Sequence, residues 1–163
     1  MFWFAYYDLF TPKWSKHIFD EWNIVMERKN IPKAERLKRI NVANRAFPDA
    51  MVNNYEPLIK NLDLPDKKDR HVLAAAIKTN ANIIVTENLK DFPKAYLASF
   101  GLSAKSSDDF LTDIIDLNPE KAVEAFKKLV RNRTNPDLDE FEILDRLRNL
   151  GLKDTANYIH ACL

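Results

Sequence analysis

The stretch DRHVLAAAIKTNANIIVTENLKDF, residues 69–92, decides how this chain is read. It opens on an acid, Asp69, and runs through an apolar helix-like segment into a β-branched run. It closes on a polar cluster that holds a second acid, Asp91. Val72, Leu73, Ala75, Ala76 and Ile77 share one face at helical spacing, which predicts a helix ending near Lys78 and packed on a sheet. "NIIVT", 82–86, predicts a short strand buried on both faces. In open parallel sheets ligands bind beyond the carboxyl ends of the strands, and Thr86, Asn88 and Asp91 stand just there.

Each acid also has a plainer reading. Asp69 in a first helical turn is favoured by the helix dipole, and Asp66 three residues earlier offers a capping-box-like start. "TENLKDFP" in isolation is a polar turn closed by Pro93. A third acid is a candidate too, although a helix-edge glutamate is most often merely solvated. "SKHIFDEWNIVMERK", 15–29, predicts a helix with Ser15 as N-cap and with Ile18, Phe19, Trp22, Val25 and Met26 on its buried face. Asp20 then points nearly opposite that face, whereas Glu21 lies at its edge and can lean toward a site at the rim of the core.

Outward from these segments, helices are expected over 33–46 (ended by Pro48), 119–133, 137–149 and 153–161. "EPLIKNLDLP" holds a short one, and "SSDDFLTDII" forms another behind Ser107. "AMVNNY" and "LSAK" are weaker strand candidates. Helices alternating with short strands predict an α/β domain with a parallel sheet over 1–116, followed by a helical C-terminal extension over 117–163.

Composition narrows the chemistry. The 163 residues are 46% hydrophobic and 30% charged, with a formal charge of +1. No apolar run reaches the roughly 18 residues of a membrane helix, and the aromatic start "MFWFAYYDLF" lacks the marks of a signal peptide; a cytoplasmic protein is expected. The two glycines, Gly101 and Gly151, exclude a Gly-rich phosphate loop. The single cysteine, Cys162, excludes a disulfide framework or a Cys-based zinc site within the chain. Glu21, Asp69 and Asp91 could together form an oxygen-rich pocket, whose hard ligands suit Mg²⁺ or Mn²⁺ and phosphodiester hydrolysis. Arg70 and Lys90 are placed for phosphate contact, and His71 for packing or phosphate contact.

At this point a family enters. "LFTPKWSKHIFDEW" and "PDAMVNNYEPLIKNLDLPDKKDRHVLAAAIKTNANIIVTENLKDFP" resemble PIN domains. The likeness is greatest to the bacterial VapC-type branch that carries a helical C-terminal extension, which "DDFLTDIIDLNPEKAVEAF" also resembles. The resemblance implies a PIN-like (Rossmann-like) three-layer fold and a Mg²⁺- or Mn²⁺-dependent endoribonuclease. It implies the toxin of a type II toxin–antitoxin pair, bound by a cognate antitoxin and usually dimeric. It places the catalytic and metal-binding acids at Glu21, Asp69 and Asp91, with Thr86 and Asn88 organising the loop. The family opens with a strand carrying a further Asp that this sequence does not match, since Asp8 lies in the wrong part of the pattern. The expectation is therefore an altered N-terminus or a tight oligomer. The alternative function is a catalytically impaired PIN-like module that binds RNA or a protein partner. Glu87, beside Asn88, is an extra acid without an assigned role.

Overall fold

The computed structural model describes residues 2–133 and 136–163. In chain order its elements are α1 (Phe2–Tyr6), β1 (Trp14–Ser15), α2 (Lys16–Arg28), α3 (Lys33–Ala46), β2 (Met51–Val52), α4 (Glu56–Ile59), α5 (Arg70–Lys78), β3 (Ile83–Val85), α6 (Lys94–Ala98), β4 (Ser103–Lys105), α7 (Ser107–Leu117), α8 (Pro119–Arg131), α9 (Glu140–Asn149) and α10 (Lys153–Cys162). Short 3₁₀ turns at Pro48–Ala50, Lys67–Asp69 and Leu89–Asp91 join them. Among the described residues the strands form two two-stranded sheets, β1 with β2 and β3 with β4, rather than a single larger sheet. β1 and β2 are parallel, with Trp14 opposite Met51 and Ser15 opposite Val52. The molecule is thus α/β but mostly helical. No helix among the described residues is long and apolar enough to cross a membrane.

Two compact units emerge. One comprises Pro12–Ile84 and Asn88–Ala104. Its helix α2 starts where Ser15, in extended backbone, accepts the Ile18 N–H at 3.3 Å. Phe19 and Met26 are buried and Trp22 stacks on Phe19, but Val25 is 45% exposed. Val25 lies about 120° around the helix from Phe19, outside the narrow strip that packs, so the expected buried face is one residue too wide. Helix α3 ends just before Pro48, as the sequence predicts. Leu73, Ala74 and Ala75 of α5 form the centre of the core with Val52, Tyr55, Ile84, Leu97 and Leu102. The prediction that β3 is buried on both faces fails. Only Ile84 is buried while Val85 is exposed, because a two-stranded sheet leaves one side of the strand uncovered.

The other unit comprises Met1–Thr11, Val85–Glu87 and Lys105–Leu163. Phe4 and Ala5 of α1 are buried, and Phe10 meets Phe110 edge-on at 5.0 Å. Apolar stripes from α7 (Phe110, Leu111, Ile114, Ile115), α8 (Ala122, Ala125, Phe126), α9 (Ile143, Leu144) and α10 (Ala156, Ile159) fill the interior. The N-cap of α7 is Ser106, not Ser107: its Oγ accepts the Asp109 N–H at 3.1 Å. Glu87 now has a role as well, since its carboxylate accepts the Ser107 N–H at 3.0 Å and satisfies a second orphan donor of α7. Asn118 ends α7 and caps α8 through the Lys121 N–H at 3.1 Å.

Candidate metal centre

Glu21, Asn88 and Asp91, together with the Asp69–His71 turn and Lys90, all lie in the first unit; Thr86 belongs to the second. Thr86 donates its backbone N–H to the Lys105 carbonyl at 2.9 Å, which continues the β3–β4 ladder by one residue.

Asp69 is the hinge of the site. It ends the 3₁₀ turn and precedes α5, yet its side chain makes no capping bond. Its Oδ2 atom is buried without a hydrogen-bond partner. Asp69 thus leaves the helix-dipole reading only its charge, with no capping bond to add to it. The Asp69 carboxyl is pushed above the usual carboxylate range, first by burial and then by the charges of Asp66, Asp91 and Glu21, with His71 acting in the opposite direction.

Asp91 closes the 3₁₀ turn after β3. The Asn88 side-chain amide donates to its Oδ2, and the Asp91 N–H donates to the Asn88 carbonyl at 3.1 Å. Asn88 thus fixes both the backbone and the carboxylate of Asp91.

The third member of the cluster is Asp66. Single carboxylate oxygens of Asp66, Asp69 and Asp91 lie within 4.8 Å of one another. In the sequence Asp66 reads only as an N-cap. It does cap, with Oδ1 accepting the Lys68 N–H at 2.8 Å, but a carboxylate has a second oxygen to spare. The signal was available in the D-x-x-D spacing of Asp66 and Asp69. A 3₁₀ turn has three residues per turn, so positions i and i+3 eclipse on one side. Glu21 is not one of this trio. Its charge reaches Asp69, and its Oε1 lies 3.1 Å from His71 Nε2.

Of the cations near the trio, Arg70 is held by Asp63 at 2.8 Å and Lys90 is exposed beside Asp91. His71 is buried. The donor set fits a hard divalent ion: three carboxylates gathered at one point, one buried oxygen without a donor, and mutual repulsion that raises the Asp69 carboxyl. It contains no imidazole or thiolate of the kind zinc prefers.

Comparison with known proteins adds an independent line. A family model described as "PIN domain" matches residues 6–90, which is more than half of the chain. A model described as "VapC50 C-terminal domain" matches residues 107–161. The chain is 41% identical over 80 residues to a protein of Mycobacterium tuberculosis (strain ATCC 25618 / H37Rv) named "Putative ribonuclease VapC50". That match covers 49% of this chain and 47% of the relative, so it spans about half of the relative's length. No solved structure matches the chain.

Proposed function

Because the chain belongs to the PIN domain family, we propose that it is a divalent-metal-dependent endoribonuclease of the VapC type. The observation that carries this reading is the convergence of Asp66, Asp69 and Asp91 with the buried, unpartnered Oδ2 of Asp69, the first two inside the matched residues 6–90 and Asp91 just beyond them. Asp69 and Asp91 would hold Mg²⁺ or Mn²⁺, joined by Asp66 and Glu21. Such an ion would supply a water of lowered pKa and neutralise charge on the scissile phosphodiester. Asn88 orients Asp91. Lys90 meets the RNA backbone from the exposed side, and Arg70, paired with Asp63 at the start of α5, is the second phosphate contact. Thr86 shapes the loop after β3.

Within this reading the two small sheets are parts of a Rossmann-like three-layer fold over 1–116, followed by a helical extension over 117–163. The protein acts in the cytoplasm as the toxin of a type II pair, inhibited by a cognate antitoxin and active as a homodimer. What supports the toxin assignment is the match of 107–161 to the VapC50 C-terminal model and the ribonuclease name of the relative.

The test is cleavage of structured RNA in the presence of Mg²⁺ or Mn²⁺. The expected outcome is cleavage that chelation abolishes and that Asp69→Asn reduces to background. Cleavage equal in the Asp69→Asn variant would refute the site. If neither protein cleaves, the catalytic reading falls, and RNA binding by a PIN-like module is the remaining function.

A further inference from the structure

His71 sits in the first turn of α5 and is only 7% exposed. Its two ring nitrogens have opposite surroundings. Nε2 lies 3.1 Å from Glu21 Oε1, whereas Nδ1 is buried with no partner. A neutral imidazole carries one N–H. With the proton on Nδ1, a buried donor would be unsatisfied and the Nε2 lone pair would face a carboxylate oxygen. With the proton on Nε2, the donor meets its acceptor and only a lone pair is left bare. The surroundings therefore select the Nε2–H tautomer.

The ring is also held in place. The His17 ring packs against it with centroids 5.1 Å apart, and His17 Nδ1 lies 2.6 Å from the hydroxyl of Tyr55, a residue of the core. A fixed, buried donor thus grips a side chain that is otherwise 54% exposed and free to rotate on a flexible stem. We propose that His71 is a positioning residue: its Nε2–H holds the Glu21 carboxylate beside the Asp66–Asp69–Asp91 trio so that Glu21 joins them on a divalent cation. A metal ligand needs such outer support in order to present its oxygen reproducibly.

This inference rests on the metal-dependent reading above, and the experiment separates the two. Mn²⁺ is titrated into the full chain and the free ion is followed by its paramagnetic resonance signal, with thermal unfolding as a check on folding. His71→Leu keeps apolar bulk but loses the donor; its Mn²⁺ affinity is expected to fall by about tenfold or more. His71→Gln, whose amide reaches the place of Nε2, is expected to restore most of that loss. In a Glu21→Ala background His71→Leu is expected to change nothing further. Should His71→Leu fail to fold, His71→Asn, whose amide falls short of Glu21, takes its place with the same expectations. If the wild-type chain binds no Mn²⁺, the metal reading and this inference fall together. If it binds Mn²⁺ and the donor-less variant binds equally well, or loses as much affinity without Glu21 as with it, the positioning role alone is overturned.

Discussion

Asp69 carries its charge where burial and three neighbouring carboxylates oppose ionisation. A carboxyl whose pKa is raised by folding contributes stability below its unfolded pKa, and that contribution is lost as pH rises through the folded value. Above that folded value the ionised Asp69 therefore works against the metal-free fold. Asp69→Asn is expected to raise the Tm of the metal-free protein at pH 7, and the gain should vanish as pH falls below the ordinary carboxylate pKa of about 3.9. Melting curves across pH check this; a lower Tm for the variant at pH 7 would contradict it. Ligand binding should reverse the order. Mn²⁺ at about a hundred times its Kd stabilises a single-site protein by about 2.7 kcal/mol. For a chain of this size that corresponds to about 5–10 °C in Tm, which wild type should show and Asp69→Asn should lack. At this scale the sequence was informative about position but not about company. Asp69 and Asp91 stood out because each flanks an apolar element. Asp66 hid behind an adequate local explanation, and the Glu21–His71 bond joins residues fifty positions apart that no periodicity links.

Helix boundaries were legible wherever a side chain marks them. Ser15 opens α2, Pro48 follows the end of α3, and Asn118 divides α7 from α8. At α7 the prediction slipped by one residue because two serines adjoin and only backbone geometry selects Ser106. β1 and α6 escaped prediction: two residues cannot show a period of two, and a five-residue helix hardly shows one of 3.6. The N-terminus of α10 has no local cap, since Leu152 occupies the cap position. Asp108 of α7 replaces it, accepting the Asp154 N–H at 3.0 Å and the Thr155 N–H at 2.8 Å. Burial alone would raise the Asp108 carboxyl, but the bonds from Thr155, Asp154 and Lys153 outweigh it and hold it below the usual range. Its stabilisation is thus present above the unfolded pKa and lost as pH falls through the depressed folded value. Asp108→Ala is expected to cost about 1–2 kcal/mol, by analogy with a lost N-cap. That amounts to about 2–8 °C in Tm at pH 7, a difference that should shrink in acid. Amide exchange should quicken first at the start of α10.

At the scale of the molecule, the sequence announced an α/β chain with a helical end, and the alternation of helices and strands carried that. It could not announce how the chain is gathered, because the unit containing α7–α10 also takes in α1 and the short piece Val85–Glu87. Composition holds no trace of such long-range sorting. A fragment of residues 107–163 contains the segment 107–161 that the C-terminal family model recognises, yet it lacks the α1 residues Phe4 and Ala5 that are buried in this unit. It is expected to show helical circular dichroism without a cooperative thermal transition. A sharp transition in the isolated fragment would show that α1 is dispensable. In the intact chain, Phe4→Ala should cost about 3–5 kcal/mol, the range for truncating a buried aromatic ring.

The packing of α1 against α8 sets a schedule for synthesis. The aromatic run Phe2–Tyr6 leaves the ribosome more than a hundred residues ahead of the helix that covers it. At about 5–20 residues per second, that interval lasts about 5–25 s. Throughout it, Phe4, which is buried in the folded unit, has no tertiary shelter. The nascent chain therefore offers a chaperone this segment before its covering helix exists, and gives it up only when α8 has been made.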